Sequence, residues 1–424
     1  MQHTIKINER PPLLQSIPLS FQHLFAMFGS TVLVPVLFGV DPSTILFMNG
    51  VGTLLYLIIC QGKIPAYLGS SFAFISPVMA VLSGDTALNY PKALGGFIVV
   101  GALFTLFALL LKWTGTGWLD IVFPPAAMGA IVAIIGLELI PVAAGMAGWI
   151  SDGSPDWKPD ANTITVSVST LLIIMLGSVV FRGFMKIIPI LIGFVVGYLL
   201  AWSLGLPDFT SVQQAAFIAA PTFTAPEGDG AAIVTLLPAA FVVIAEHIGH
   251  LIVTEQIVER NLTKDPGLHR SLLGNGISTI ISGFVGSTPN TTYGENIGVM
   301  TLTRVYSVFV IGGAAVLAIL LSFLGKLSAI IGAVPNAVLG GVSLMLFGVI
   351  AAAGIRMLVD TKVDYGNPRN IALTTLVLVL GISGTTLKFG NFELKGMVLA
   401  TVAAIVLSLL FRLFELLRWD NESM

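Results

Sequence analysis

Charge is the scarcest property of this 424-residue sequence: Asp, Glu, Lys and Arg together supply 10% of it, against 55% hydrophobic residues. Mean hydropathy is +0.95. So few charged groups cannot clothe an apolar core in water, which excludes a soluble globular fold and places the chain in a membrane. No basic excess exists either, because 20 Lys and Arg stand against 22 Asp and Glu for a net charge of −2. A nucleic-acid surface needs clustered cations and is excluded. Cys60 is the single cysteine, so no disulfide framework can form, and its place in an apolar run makes it packing material. Long polar stretches are missing too. The two longest, 151–162 and 206–230, are rich in Pro and Gly and read as loops, so residues 1–424 form a single transmembrane domain. No small-residue cleavage site follows the first apolar run, and the first helix is expected to stay in the mature protein.

What is present is a succession of apolar runs from Leu19 to Leu417. A helix needs about 20 apolar residues to cross roughly 30 Å of hydrocarbon, and no β-barrel alternation occurs. Pro, Gly and charge breaks predict an all-α polytopic protein of about fourteen segments. These begin near Leu19, Ser43, Ala66, Leu94, Ile121, Thr163, Lys186, Ala231, Leu268, Asn290, Tyr306, Ala337, Asn370 and Lys395. Alternating the loops with the N-terminus inside leaves only Lys92, Lys158, Lys326, Lys388 and Lys395 outside, among 20 Lys and Arg. That asymmetry follows the positive-inside rule and assigns both termini to the cytoplasm.

A faint repeat divides the chain into halves of about 1–212 and 213–424. Phe123-Pro-Pro-Ala-Ala-Met-Gly129 echoes Val334-Pro-Asn-Ala-Val-Leu-Gly340, and Ser76-Pro77 echoes Thr288-Pro289. Seven segments per half is odd, so the halves are expected to be inverted relative to each other.

Ionisable groups inside a bilayer cost a few kcal/mol or more each and need a partner or a function. Glu246, His247 and His250 fall in one apolar run. Glu246 and His250, four residues apart, share a helix face about one turn from each other. They can bind a polar ligand and exchange a proton, or else form a hydrogen bond that only holds helices together. His247 lies about 100° round the helix from Glu246 and is given no functional role. The second centre is Gly286-Ser-Thr-Pro-Asn-Thr-Thr-Tyr-Gly-Glu-Asn-Ile-Gly298, where Pro289 and β-branched, hydroxyl-bearing residues disfavour a continuous helix. Its counterpart is Leu68-Gly-Ser-Ser-Phe-Ala-Phe-Ile-Ser-Pro77. Paired interruptions in corresponding segments point to a transporter's binding site, two Pro-kinked packing helices being the other reading. Glu295 starts the resumed helix, Asn296 can bond nearby backbone, and Phe72, Phe74 and Tyr293 can stack on a flat ring. Gln22-His23 forms a polar pair in the first segment that orients the site. Glu138 is placed at the outer interface.

Glu295-Asn-Ile-Gly-Val-Met-Thr-Leu-Thr-Arg304 resembles the signature of the nucleobase–ascorbate transporter family: an acidic residue, Asn-x-Gly, four residues, Thr and a basic residue. Gln22-His23, Gly115-Thr-Gly-Trp-Leu-Asp120 and Ala245-Glu-His-Ile-Gly-His250 extend the likeness nearly end to end. The resemblance implies fourteen segments as two inverted seven-segment repeats, a core and a gate, and short strands in the broken third and tenth segments. It further implies symport of a nucleobase with a proton, uracil ahead of xanthine or urate. Glu246 and Glu295 would hold the base, Phe72 and Gly294 would add backbone amides and close packing, and His250 would couple the proton. Tyr293, Gln22, His23 and Asn296 would support them. No enzymatic chemistry and no cofactor is expected. The partners are uracil, a proton and the lipid bilayer, with a homodimer allowed.

A different class, an intramembrane metallohydrolase, is raised by Glu246-His247-x-x-His250. The order departs from His-Glu-x-x-His, and the histidines still need a third ligand.

Overall fold

The computed structural model describes residues 4–82, 86–151, 157–389 and 392–417. Asp156 and Arg418, both used in reading loops and charges, lie outside the described residues. The chain is a multi-pass helical membrane protein. Among the described residues, eight helices are long and apolar enough to cross a bilayer, or nine if Val308–Ser322 and Gly325–Gly332, bent by 86°, count as one. The sequence reading has fourteen segments. Part of the difference has a physical source: Phe72–Val81, Pro189–Ser203 and Pro368–Ile382 are apolar but fall below the length of a full span, and Gly294–Thr303 has only 10 residues.

Local chemistry accounts for the helix ends. Asp41 caps Pro42–Ile59 by accepting from Ser43 N–H at 2.9 Å, with Pro42 in the first turn where its missing N–H costs nothing. Asp229 and Asp160 cap Gly230–Leu236 and Ala161–Val180 in the same way.

The two predicted breaks are extended. Leu68–Ser70 and Asn290–Thr292 are three-residue strands that pair antiparallel, Leu68 opposite Thr292 and Ser70 opposite Asn290. Ser71 N–H donates to Pro289 O and Tyr293 N–H to Tyr67 O, both at 3.0 Å. Each break therefore satisfies the other's backbone, which is what allows non-helical chain at membrane depth. Short helices, Ile75–Val81 and Gly294–Thr303, leave this junction, Glu295 standing in the first turn of the second and Arg304 closing it. Gly69 has no room for a side chain because the Tyr293 ring lies against it.

Glycines set the helix packing around the junction. Pro125–Met146 and Asn336–Asp360, which begin at the two echoed Pro-containing motifs, run antiparallel in close contact. Thr86–Thr114 and Leu268–Val285 pack alike, with Gly101 against Gly276 and Gly283 against Leu94. Such close approach needs small residues, since lipid supplies no hydrophobic drive between helices. A Cβ on Gly136 would stand 2.6 Å from Ala351 N, besides meeting Phe347 O. Gly136→Val is accordingly expected to destabilise the folded protein by about 1–3 kcal/mol, as overpacking does. The check is its thermal unfolding midpoint in detergent. An unchanged midpoint would contradict this packing.

Candidate functional site

Three elements converge on the strand pair. The helix Ala239–Val258 brings Glu246, only 7% exposed, and His250 one turn on. The first break brings Phe72, 4% exposed, and the second brings Thr291, Thr292, Tyr293, Gly294 and Glu295. All line one cavity of about 460 Å³. Glu246, Glu295, Phe72, Gly294, His250 and Tyr293, singled out separately in the sequence, are thus brought together.

The geometry fixes several roles. His250 Nδ1 lies 3.1 Å from Thr292 Oγ1. Its other nitrogen faces Gly294, where a Cβ would come within 3.3 Å of Nε2, so glycine there leaves the imidazole open toward the cavity. Glu246 Oε2 and Thr291 Oγ1 are buried and have no hydrogen-bond partner among the described residues. A buried carboxylate oxygen without a partner is costly unless a ligand or proton meets it. The Phe72 ring meets Phe347 edge-on at 5.7 Å, which locks its orientation. Tyr293 O–H donates to Ser70 O at 3.2 Å, so its hydroxyl braces the strand pair.

Gln22, His23 and Asn296 are not on the cavity lining. Asn296 Nδ2–H donates to His23 O at 3.0 Å and lies 3.2 Å from His23 Nδ1, tying Leu13–Ala26 to Gly294–Thr303. This is a brace for the helix that starts with Glu295. Glu138 accepts from Met397 N–H at the start of the helix Gly396–Leu416, a helix cap rather than a ligand group. Among the described residues no three His, Cys, Asp or Glu side chains gather as a metal site requires.

Three charged lining residues were missed in the sequence: Lys186, Arg356 and Asp360. Arg356 Nε donates to Asp360 Oδ2 at 3.1 Å, four residues on along Asn336–Asp360. Lys186 lies in the linker before Pro189–Ser203. The i, i+4 spacing signalled the ion pair but nothing in it signalled the cavity.

Residues 14–390 match the Permease family (Xan_ur_permease). The chain belongs to that family. Curated relatives include "Uracil permease" of Paenibacillus larvae, 62% identical over 419 residues covering 99% of each chain. "Uracil permease" of Escherichia coli K12 is 60% identical over 98% of this chain and 96% of the relative. That of Bacillus subtilis is 44% identical over 95% and 94%. Among solved structures, the transmembrane domain of the cyanobacterial bicarbonate transporter BicA is similar with a TM-score of 0.63 at 13% identity, covering 95% of this chain and 97% of that one. SLC26A9 is similar with a TM-score of 0.70 at 11% identity, covering 95% and 66%. At such identities the likeness carries the fold alone. This permease is a transporter, not an enzyme.

Proposed function

We propose that this permease imports uracil across the bacterial inner membrane by symport with a proton. The observation that carries the reading is the convergence of Glu246 and Glu295 with the N-terminal backbone of Gly294–Thr303 on one cavity. Uracil presents ring N–H donors beside carbonyl acceptors. Carboxylates suit the first, and the unpaired N–H groups of a helix start suit the second. Glu246 and Glu295 hold the ring, Phe72 and Gly294 contribute amides and close contact, and His250 exchanges the proton. The relatives' names support uracil as the base.

The fold behind it is fourteen segments in two inverted repeats, supported by the mutual pairing of the two breaks and the antiparallel packing of the helices that follow the echoed motifs. The cavity lining extends from the site to Lys186, Arg356 and Asp360. Positive-inside counting puts the two cations on the cytoplasmic side, which supports a cavity that faces inward and termini that lie inside.

Purified protein should bind uracil at equilibrium, with xanthine and urate failing to displace it. The test is competition against radiolabelled uracil. Displacement by xanthine as effective as by unlabelled uracil would move the substrate to the purines.

A further inference from the structure

His247 has no part in the reading above, yet it is 1% exposed and only one of its nitrogens is engaged. Its Nε2 lies 2.8 Å from Ser271 Oγ, and that hydroxyl lies 2.6 Å from the Tyr56 hydroxyl. Three helices thus contribute one hydrogen-bonded file. His247 Nδ1 is buried with no partner among the described residues. A second, small cavity of about 10 Å³ is lined on one side by Ile64, Ala66 and Leu251 and otherwise by Tyr56, His247, His250, Thr254, Ser271 and Thr292. A volume of that order admits one water where a few polar groups can bond it, and His247 Nδ1 and the Thr292 hydroxyl are such groups on this lining.

We propose that one water molecule binds in this cavity between His247 Nδ1 and Thr292 Oγ1, and that His247 acts through it as a positioning residue for His250. The proposal rests on His250 being the proton exchanger. The hydrogen bonds can then run in one direction. His247 Nε2–H donates to Ser271, leaving Nδ1 to accept from the water. The water accepts from the Thr292 hydroxyl, and Thr292 Oγ1 accepts from His250 Nδ1–H. With the file in this direction the hydrogen of His250 sits on Nδ1, and Nε2 presents a lone pair beside Gly294, toward the transport cavity. The arriving proton forms a bond to Nε2 and later leaves from the same atom, while Nδ1–H stays on Thr292. The file does not rearrange during the cycle. Neutral imidazole with the opposite tautomer would turn Nε2–H into the cavity and accept nothing. The titratable and charged groups facing His250 are Glu246, Glu295 and Tyr293 from the large cavity and His247 and Tyr56 from the small one, with Lys186, Arg356 and Asp360 farther along the same lining.

Two amide replacements separate this role from helix-to-helix bonding. Asn at position 247 carries its carbonyl near the place of Nδ1 and loses Ser271. Gln reaches the place of Nε2, keeps Ser271 and loses the water. The measurement is uracil accumulation driven by a pH gradient in proteoliposomes, divided by equilibrium uracil binding, over a range of pH. His247→Asn should retain the native ratio and pH profile, and His247→Gln should lose gradient-driven accumulation while still binding uracil. The reverse ranking, Gln active and Asn inactive, overturns the proposal and leaves His247 as a bond between helices. If neither variant folds, Thr292→Val decides: a fall in the same ratio supports the water-linked file, and a native ratio overturns it. Native protein in the same vesicles keeps the premise separate, since absence of gradient-driven accumulation there defeats proton symport itself.

Discussion

Glu246→Gln should weaken uracil binding by about two orders of magnitude. The substitution preserves shape and packing but exchanges one acceptor oxygen for an N–H₂ donor, which would face a ring N–H of the base. Glu246 Oε2 already lies buried without a hydrogen-bond partner among the described residues. Losing a charge-assisted hydrogen bond and opposing two buried donors costs on the order of 3 kcal/mol, or about a hundredfold in Kd. Glu227→Gln, in an exposed outer stretch, provides the control and should bind as the native protein does. Binding by isothermal calorimetry or scintillation proximity decides it, and normal affinity in Glu246→Gln would remove that residue from the site.

The second large effect belongs to His250. Its ring stands between the strand pair, through Thr292, and the cavity, through Nε2 beside Gly294. Histidine is the side chain whose unperturbed pKa, about 6.5, lies nearest working pH, which makes His250 the candidate for proton exchange at the cavity. His250→Ala should therefore lose proton-driven accumulation much more than uracil binding, because Glu246, Glu295 and the backbone of Gly294–Thr303 remain. The comparison is gradient-driven uptake beside equilibrium binding on the same preparation. Full gradient-driven uptake by His250→Ala would shift the proton to a carboxylate, Glu295 first.

Much of this site was legible before any coordinates. Four-residue spacing put Glu246 and His250 on one face, and Pro77 and Pro289 with their hydroxyl-rich neighbours marked both breaks. Those signals are local: a helix period and a residue that cannot continue a helix. What was not legible is long-range. Strands of three residues carry no periodic pattern, so only the resemblance to a family gave them, and their register came from the structure alone. Thr292 could not be ranked above Thr291 until its distance to His250 was known. Lys186 and Arg356 read as loop and helix charges, because nothing in a linker or an i, i+4 pair says which cavity it borders. Gln22 and His23 read as a polar pair that orients the site, but the partner was not legible: His23 is buried and bonded to Asn296. His247 was set aside on helical geometry that was correct: it faces away from Glu246, toward Ser271 and Tyr56, which lie 24 and 191 positions distant in the chain.

The central claim is that uracil and a proton move together through this cavity. Native protein in proteoliposomes, given radiolabelled uracil with and without an imposed inward proton gradient, tests it most directly. Moving one charge through 100 mV is worth about 2.3 kcal/mol, close to fiftyfold in accumulation. Uracil should concentrate inside above its external level when the gradient is present, and a protonophore should return it to equilibrium. Equal inside and outside concentrations in both conditions would contradict the account.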